Sequence, residues 1–311
     1  MADKIKMICV VGATASGKTA LGVALAKRLN GEIISADSMQ VYRSMPVATA
    51  VATAEEQQGV PHHLLAFLEP EQPFSVAEFV QLAKECALAI HAKGKVPIVV
   101  GGTGLFIDSL VKNRCFSDVG ADEALRTRLQ AKPSDELYAA LQAVDPQAAA
   151  AIHPNNRKRV IRALELYYGG SGKTVQDEAS EQEGSPFDAL YIQIDYRDRE
   201  QLYARINRRV DKMLNDGLLD EARQLLSREG KTARQAIGHK ELAPYLRGEM
   251  PLEEAVENLK RETRRYAKRQ LTWFRRNPSV HVLYADTMST EALFDAAEAT
   301  AVAFLNGEVQ S

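Results

Sequence analysis

Gly12-Ala-Thr-Ala-Ser-Gly-Lys-Thr19 fits the pattern G-x-x-x-x-G-K-[ST], with the apolar run Met7 to Val11 before it and a helix-periodic run from Ala20 to Leu29 after it. A strand that feeds a glycine-rich loop into a helix N-terminus turns backbone N–H groups and the positive end of the helix dipole toward one point, where a diphosphate fits. The loop residues Gly12, Ala13, Thr14, Ala15, Ser16, Gly17, Lys18 and Thr19 are therefore expected to bind diphosphate. Lys18 reaches the outer phosphate oxygens and the Thr19 hydroxyl is the expected holder of Mg²⁺, the one expected cofactor.

The surrounding pattern extends this start into an α/β fold. Glu32–Ser35 and Pro97–Val100 read as further short buried strands, each followed by a turn rich in Gly, Ser or Asp and then by a helical pattern. That alternation predicts a P-loop NTPase-like parallel sheet wrapped by helices, with ligands gathered at the C-terminal ends of the strands. From about Phe116 to Gly184 the pattern is almost purely helical, which predicts an all-helical insertion. The expected organisation is residues 1–116 as the first part of the core, 117–186 as the insertion, and 187–311 as completion of the core with C-terminal basic helices. Within the last part, Tyr191–Ile194 supplies a strand, and long helices are expected over Asp198–Arg228 and Leu252–Arg276. Gly172-Lys173-Thr174 imitates the end of a phosphate loop but follows a helix, and reads as a loop; Gln176 to Pro186 reads as a flexible one.

Composition narrows the class. The 311 residues are 45% hydrophobic and 26% charged, ample for a buried core. Val96 to Ile107 is too short for a membrane span, and no basic-then-apolar leader opens the chain, so a cytoplasmic protein without membrane partners is expected, and a monomer. Cys9, Cys86 and Cys115 are odd in number and widely spaced, against a disulfide framework or structural zinc. His62 and His63 lack partners at metal-ligand spacing and are assigned a structural role; His91, His153 and His281 are isolated.

A net charge of −2 conceals segregation. Between Glu257 and Arg276 there are eight basic residues against two acidic ones. Leu259, Thr263, Tyr266, Gln270 and Trp273 recur at helical spacing on one side, leaving Arg261, Arg264, Arg265, Lys268 and Arg275 toward the other. Such a face is either a solvated surface or an attractor of a polyanion.

Two other strand ends converge on the phosphate loop. Asp37-Ser38-Met39-Gln40-Val41-Tyr42 places a carboxylate at the sheet edge, suited to accept a proton from a nucleophile or to hold a metal-bound water; a helix cap is the bland alternative. Gly101-Gly102-Thr103-Gly104 lets backbone approach a ligand and offers one hydroxyl.

These motifs together resemble the tRNA dimethylallyltransferase (isopentenyltransferase) family. The resemblance is carried by GATASGKT at 12–19, SADSMQVYR at 35–43, VPHHLL at 60–65, VPIVVGGTGLF at 96–106, IHPNNRKRVIRALE at 152–165, RINRRVDKML at 205–214, AIGHKE at 236–241 and YAKRQLTWFR at 266–275. It implies transfer of a dimethylallyl group from its diphosphate to N6 of the adenosine 3′-adjacent to the tRNA anticodon, releasing diphosphate. By the same resemblance Asp37 takes the amine proton, Thr14 hydrogen-bonds the breaking oxygen, Lys18 stabilises the leaving charge, and Arg205 clamps the diphosphate. It puts Asp37, Ser38, Met39, Gln40, Thr103, Arg126, Lys158, Arg159, Arg162, Arg234 and His239 at the tRNA. A base in a folded anticodon loop must be extruded to reach a buried electrophile. The chain departs from the family's usual residues at Ala13 (Pro), Val51 (Lys), Phe106 (Tyr) and His239 (Tyr).

Two other readings use the same loop. A small-molecule kinase would bind ATP there with Asp37 as base, but needs a lid with paired arginines and an adenine pocket that the sequence does not display. A binding module without chemistry leaves the DSMQ segment without a purpose.

Overall fold

The computed structural model describes residues 4–114, 116, 122–169, 184–226, 228 and 236–309. Arg234, Cys115, Gly172-Lys173-Thr174 and residues 176–183 lie outside them. In chain order the elements are β1 (Ile5–Gly12), α1 (Lys18–Arg28), β2 (Gly31–Ser35), α2 (Pro46–Thr49), α3 (Ala54–Gln57), β3 (His62–His63), α4 (Val76–Ala92), β4 (Val96–Gly101) and α5 (Gly104–Val111). There follow α6 (Glu123–Gln130), α7 (Ser134–Val144), α8 (Pro146–Ala151), α9 (Arg157–Gly169), β5 (Phe187–Asp195), α10 (Arg199–Asn215), α11 (Leu218–Leu226), α12 (His239–Leu246), α13 (Leu252–Phe274), β6 (Val280–Tyr284) and α14 (Thr290–Leu305).

The chain forms two compact units, one of Met1–Val111 with Ser185–Ser311 and one of Lys112–Gly184. In the first, six strands make a parallel sheet in the order β3-β2-β4-β1-β5-β6. Strands buried on both faces read as continuous apolar runs, as in Met7–Val11, where every residue is fully buried. Ile8, Val10, Ile98, Leu190, Ile192 and Ile194 of the sheet pack with Leu21 and Leu25 of α1 and Phe304 of α14. Opposite them, Ala13, Tyr196, Leu202 and Ile206 close on Ala267 and Leu271 of α13. The expected parallel sheet wrapped by helices is present, and crossovers of this kind bring the strand C-termini to one edge.

The structure adds two strands at the sheet's outer edges. β3 is only two residues long, and β6 is half-exposed, so neither carries the dense apolar signal of an interior strand. The His62–His63 pair thus has a structural place: it extends the sheet, and His63 Nε2 meets Glu32 at 2.8 Å. The helix expected over Asp198–Arg228 is broken: α10 ends at Asn215 and α11 restarts at Leu218, because Gly217 takes φ +99°, which L side chains rarely adopt. Periodicity on the two sides is similar enough to hide that break.

Local signals set several starts. Ser75 and Glu78 form a reciprocal capping box at α4, and Asp198 accepts from Glu200 N at α10. The second unit is helical among its described residues, with a core of Leu125, Leu129, Leu137, Leu141, Val160 and Leu164. Inside it Arg126 forks onto the buried Glu165 at 2.6 and 2.9 Å, with Arg162 3.7 Å from the same carboxylate.

Candidate active site

The Gly12–Thr19 loop leaves β1 and enters α1 at the C-terminal edge of the sheet. Gly12 has φ +145°, and a Cβ there would lie 2.6 Å from the Ile194 carbonyl oxygen, so the loop can leave the sheet this way only without a side chain. Ser16 Oγ is buried and has no hydrogen-bond partner among the described residues. Lys18 donates to the Ala13 carbonyl at 2.5 Å, folded back over its own loop. Burial, and after it the Arg209 guanidinium, pushes the Lys18 ammonium down to about 7, while Asp37 acts in the opposite sense. An anion in the loop would restore its charge, since an opposite charge nearby favours the charged form.

A cavity of about 310 Å³ opens at this edge. Its wall brings together Thr14, Lys18, Thr19, Asp37, Ser38, Met39 and Gln40 from the predicted set. It adds Arg209, Tyr266, Arg269 and Gln270, and two backbone segments, Ala48–Ala50 and Ala236–Gly238. Asp37 follows β2 and accepts the Met39 N–H at 2.9 Å within a turn; no helix begins there, so it is not a helix cap, and it lines the cavity. Thr103 accepts the Ser38 N–H at 3.1 Å and bonds the Tyr266 hydroxyl. Burial, with Asp37 second, pushes that hydroxyl up, so it remains a donor at neutral pH.

Gln270 is the connector that helical spacing assigned to the core side of α13. It is buried, yet its amide oxygen accepts the Thr14 N–H at 2.8 Å and its amide nitrogen donates to Gly102 O at 3.1 Å. Trp273, one turn on, donates to Asp108 at 2.7 Å. The basic side is partly committed: Arg264 is half-buried on Asn207 at 2.7 Å, and the exposed Arg261, Arg265 and Arg275 meet Asn258 at 2.6 Å, Glu262 at 2.6 Å and Asp195 at 3.5 Å, while Lys268 is exposed.

Arg205 stands outside the cavity lining. It is exposed, donates from Nε to Ala15 O at 3.0 Å and lies 5.9 Å from the Tyr196 ring centroid, which places it against the outside of the loop. Arg209 was missed, although the signal was there: it is four residues after Arg205 and so on the same helix face. Burial pushes its guanidinium down, with Asp37 and Glu56 countering. His239 is 5% exposed and its Nε2 lies 2.9 Å from Glu221, so the ring is held inside the first unit rather than offered at a surface. Lys158 and Arg159 are exposed on α9 of the second unit.

No group of three or more His, Cys, Asp or Glu suited to a metal exists among the described residues. Mg²⁺ beside a diphosphate needs no such cage, because phosphate oxygens and waters fill most of its octahedron. The exposed Thr19 hydroxyl at the cavity wall fits that mode. Among the described residues, no helix is long and apolar enough to cross a membrane.

A family model described as IPP transferase matches residues 40–277. A tRNA dimethylallyltransferase of Halalkalibacterium halodurans is 50% identical over 285 residues, spanning 89% of this chain and 90% of its own. One from a Thermoanaerobacter species is 48% identical over 280 residues, spanning 87% and 89%. The crystal structure of the full-length tRNA isopentenylpyrophosphate transferase from Bacillus halodurans aligns with a TM-score of 0.72 at 45% identity, covering 96% of each chain. A eukaryotic dimethylallyltransferase seen acting on tRNA aligns with a TM-score of 0.83 at 31% identity, covering 99% of this chain and 81% of that one. These names do not favour the kinase alternative.

Proposed function

The chain belongs to the IPP transferase family, and from that premise we propose that it transfers a dimethylallyl group from dimethylallyl diphosphate to a tRNA adenosine, at N6 of the base 3′-adjacent to the anticodon. The single observation that carries this reading is the convergence of the Lys18 phosphate loop and the Asp37 carboxylate on one cavity. Diphosphate seats on the loop, where Ser16 Oγ lacks a partner and the helix N-terminus favours anions.

As the allylic carbon–oxygen bond breaks, its electron pair leaves with the diphosphate, and charge there is stabilised by Lys18 and Arg209 from within the cavity. Thr14 is assigned to the breaking oxygen. The adenine amine attacks the allylic carbon, and Asp37 takes the proton released from N6 as the new nitrogen–carbon bond forms. Thr19 would hold Mg²⁺, which supplies further neutralisation of diphosphate charge. Arg205 braces the loop through Ala15 O from outside.

For the tRNA, Ser38, Met39, Gln40 and Thr103 line or support the cavity mouth. Arg126, Lys158, Arg159, Arg162 and Arg234 are assigned to the tRNA, and His239 to support of the Ala236–Gly238 wall. The reading includes a cytoplasmic location and a monomeric state.

The test is incorporation of labelled dimethylallyl diphosphate into unmodified tRNA with Mg²⁺, beside Asp37→Ala. Asp37→Ala is expected to lose roughly two to four orders of magnitude in transfer, the range for a general base, while a gel shift shows tRNA binding unchanged. Full activity of Asp37→Ala would refute the base assignment, and turnover of ATP with no label in tRNA would refute the reaction.

A further inference from the structure

Glu221 lies on α11 behind the cavity lining, and both of its carboxylate oxygens are used. Oε2 accepts the Val47 N–H at 2.7 Å; Oε1 accepts the Ala48 N–H at 2.9 Å and meets His239 Nε2 at 2.9 Å. The Glu221 side chain is 8% exposed and that of His239 5%. The carboxylate can only accept, so the ring donates from Nε2.

Each partner sits at the back of a cavity wall. α2 is a single turn, with Pro46 at its start and no side-chain cap from Met45, so its first N–H groups find no acceptor within the helix. Glu221 supplies that acceptor from 174 residues away along the chain. At the other end of the turn, Thr49 O and Ala50 O accept from Gln40 Nε2 at 3.0 and 3.2 Å, and Gln40 Oε1 accepts from Ser35 at 3.2 Å. Ala48, Thr49, Ala50 and Gln40 all line the cavity that holds Asp37. His239 directly follows Gly238, and Ala236, Ile237 and Gly238 line the same cavity.

Resting on the function proposed above, we infer that Glu221 is a positioning residue for the transfer reaction: it ties the Pro46–Ala50 wall to the Ala236–His239 wall and, through the turn, orients the Gln40 amide beside Asp37. The phosphate loop is built from a different part of the fold and does not depend on this tie. Loss of the tie therefore misplaces the acceptor base rather than the diphosphate, and small misplacements at a reacting centre are costly in rate.

The test uses the full chain. Glu221→Gln presents an NH₂ donor to backbone donors. It is expected to lower kcat for dimethylallyl transfer to tRNA about tenfold or more, to leave the Kd of inorganic diphosphate within about twofold, and to speed hydrogen exchange at the Val47 and Ala48 amides. Unchanged kcat in the folded variant overturns the inference, as does an equal loss of diphosphate affinity, which would mark general damage to the core. If Glu221→Gln does not fold, His239→Gln and His239→Leu decide: the glutamine keeps an N–H donor and should retain kcat within about threefold, whereas the leucine should fall about tenfold. Equal activity of the two overturns the inference. Absence of transfer by the unaltered chain would instead defeat the proposed function.

Discussion

The side-chain amide of Gln270 accepts the backbone N–H of Thr14 at 2.8 Å, across 256 residues of sequence. The basic helix α13 and the phosphate loop are therefore joined at the residue assigned to the breaking oxygen. Gln270→Leu leaves the Thr14 N–H and Gly102 O without their partner. An unpaired buried group costs about 1–3 kcal/mol, so kcat/KM for dimethylallyl transfer should fall about tenfold or more. Steady-state kinetics checks this; unchanged kcat/KM would mean that the loop holds its shape alone.

Arg209 shares the cavity with Lys18, whereas Arg205 touches the loop from outside. Arg209→Gln should raise the Kd of inorganic diphosphate about tenfold or more, the scale of a lost charge-assisted hydrogen bond, and Arg205→Ala should raise it less. Calorimetric titration of both variants checks the order, and the reverse order would place the diphosphate on the Arg205 side of the loop.

The exposed basic residues along α13, continued by Arg276 just after it, suit an attraction to phosphates that reads no bases. Each phosphate contact on a single strand contributes about 0.7 to the slope of log affinity against log salt. The triple change Arg261→Ala, Lys268→Ala and Arg276→Ala should lower that slope by about 2. Filter binding across a salt series checks it; an unaltered slope would remove this face from the tRNA interface.

Glu32 is a pH-dependent support of the sheet. Burial alone would raise its carboxyl, but hydrogen bonds from Lys95, His63 and Lys93 outweigh burial and hold it at about 2, against an ordinary value of 4.5. A lowered carboxyl pKa adds stability that is fully present above about 4.5 and is lost as pH falls through about 2. Glu32→Gln should therefore cost about 1–3 kcal/mol at pH 7, and its deficit against the unaltered chain should shrink below pH 4. Thermal melts over pH 2–7 check this, and a deficit independent of pH would mean that Glu32 acts by packing alone.

The elements legible beforehand were those whose signal is local. Met7–Val11 reads as an interior strand because five consecutive apolar residues have no other use next to a glycine-rich turn. The edge strand Val280–Tyr284 and the break at Asp216–Gly217 were not legible, since a half-exposed strand and a two-residue helix break leave the hydrophobic pattern almost undisturbed.

The same division runs through the site. From Gly12 to Thr19 the chain order alone dictates a phosphate cradle, because strand, turn and helix start are covalently consecutive and the N–H groups converge by backbone geometry. Asp37 and Thr103 were legible as strand-end residues of a parallel sheet, whose C-terminal ends share one edge. Arg209, Tyr266 and Gln270 entered the site only through packing of α10 and α13 on the sheet. His239 turned inward for the same kind of reason, since Glu221 waits behind it. Helical spacing tells which residues share a face, but the partner of that face lies far along the chain, and burial and hydrogen bonding are settled only when the two surfaces meet.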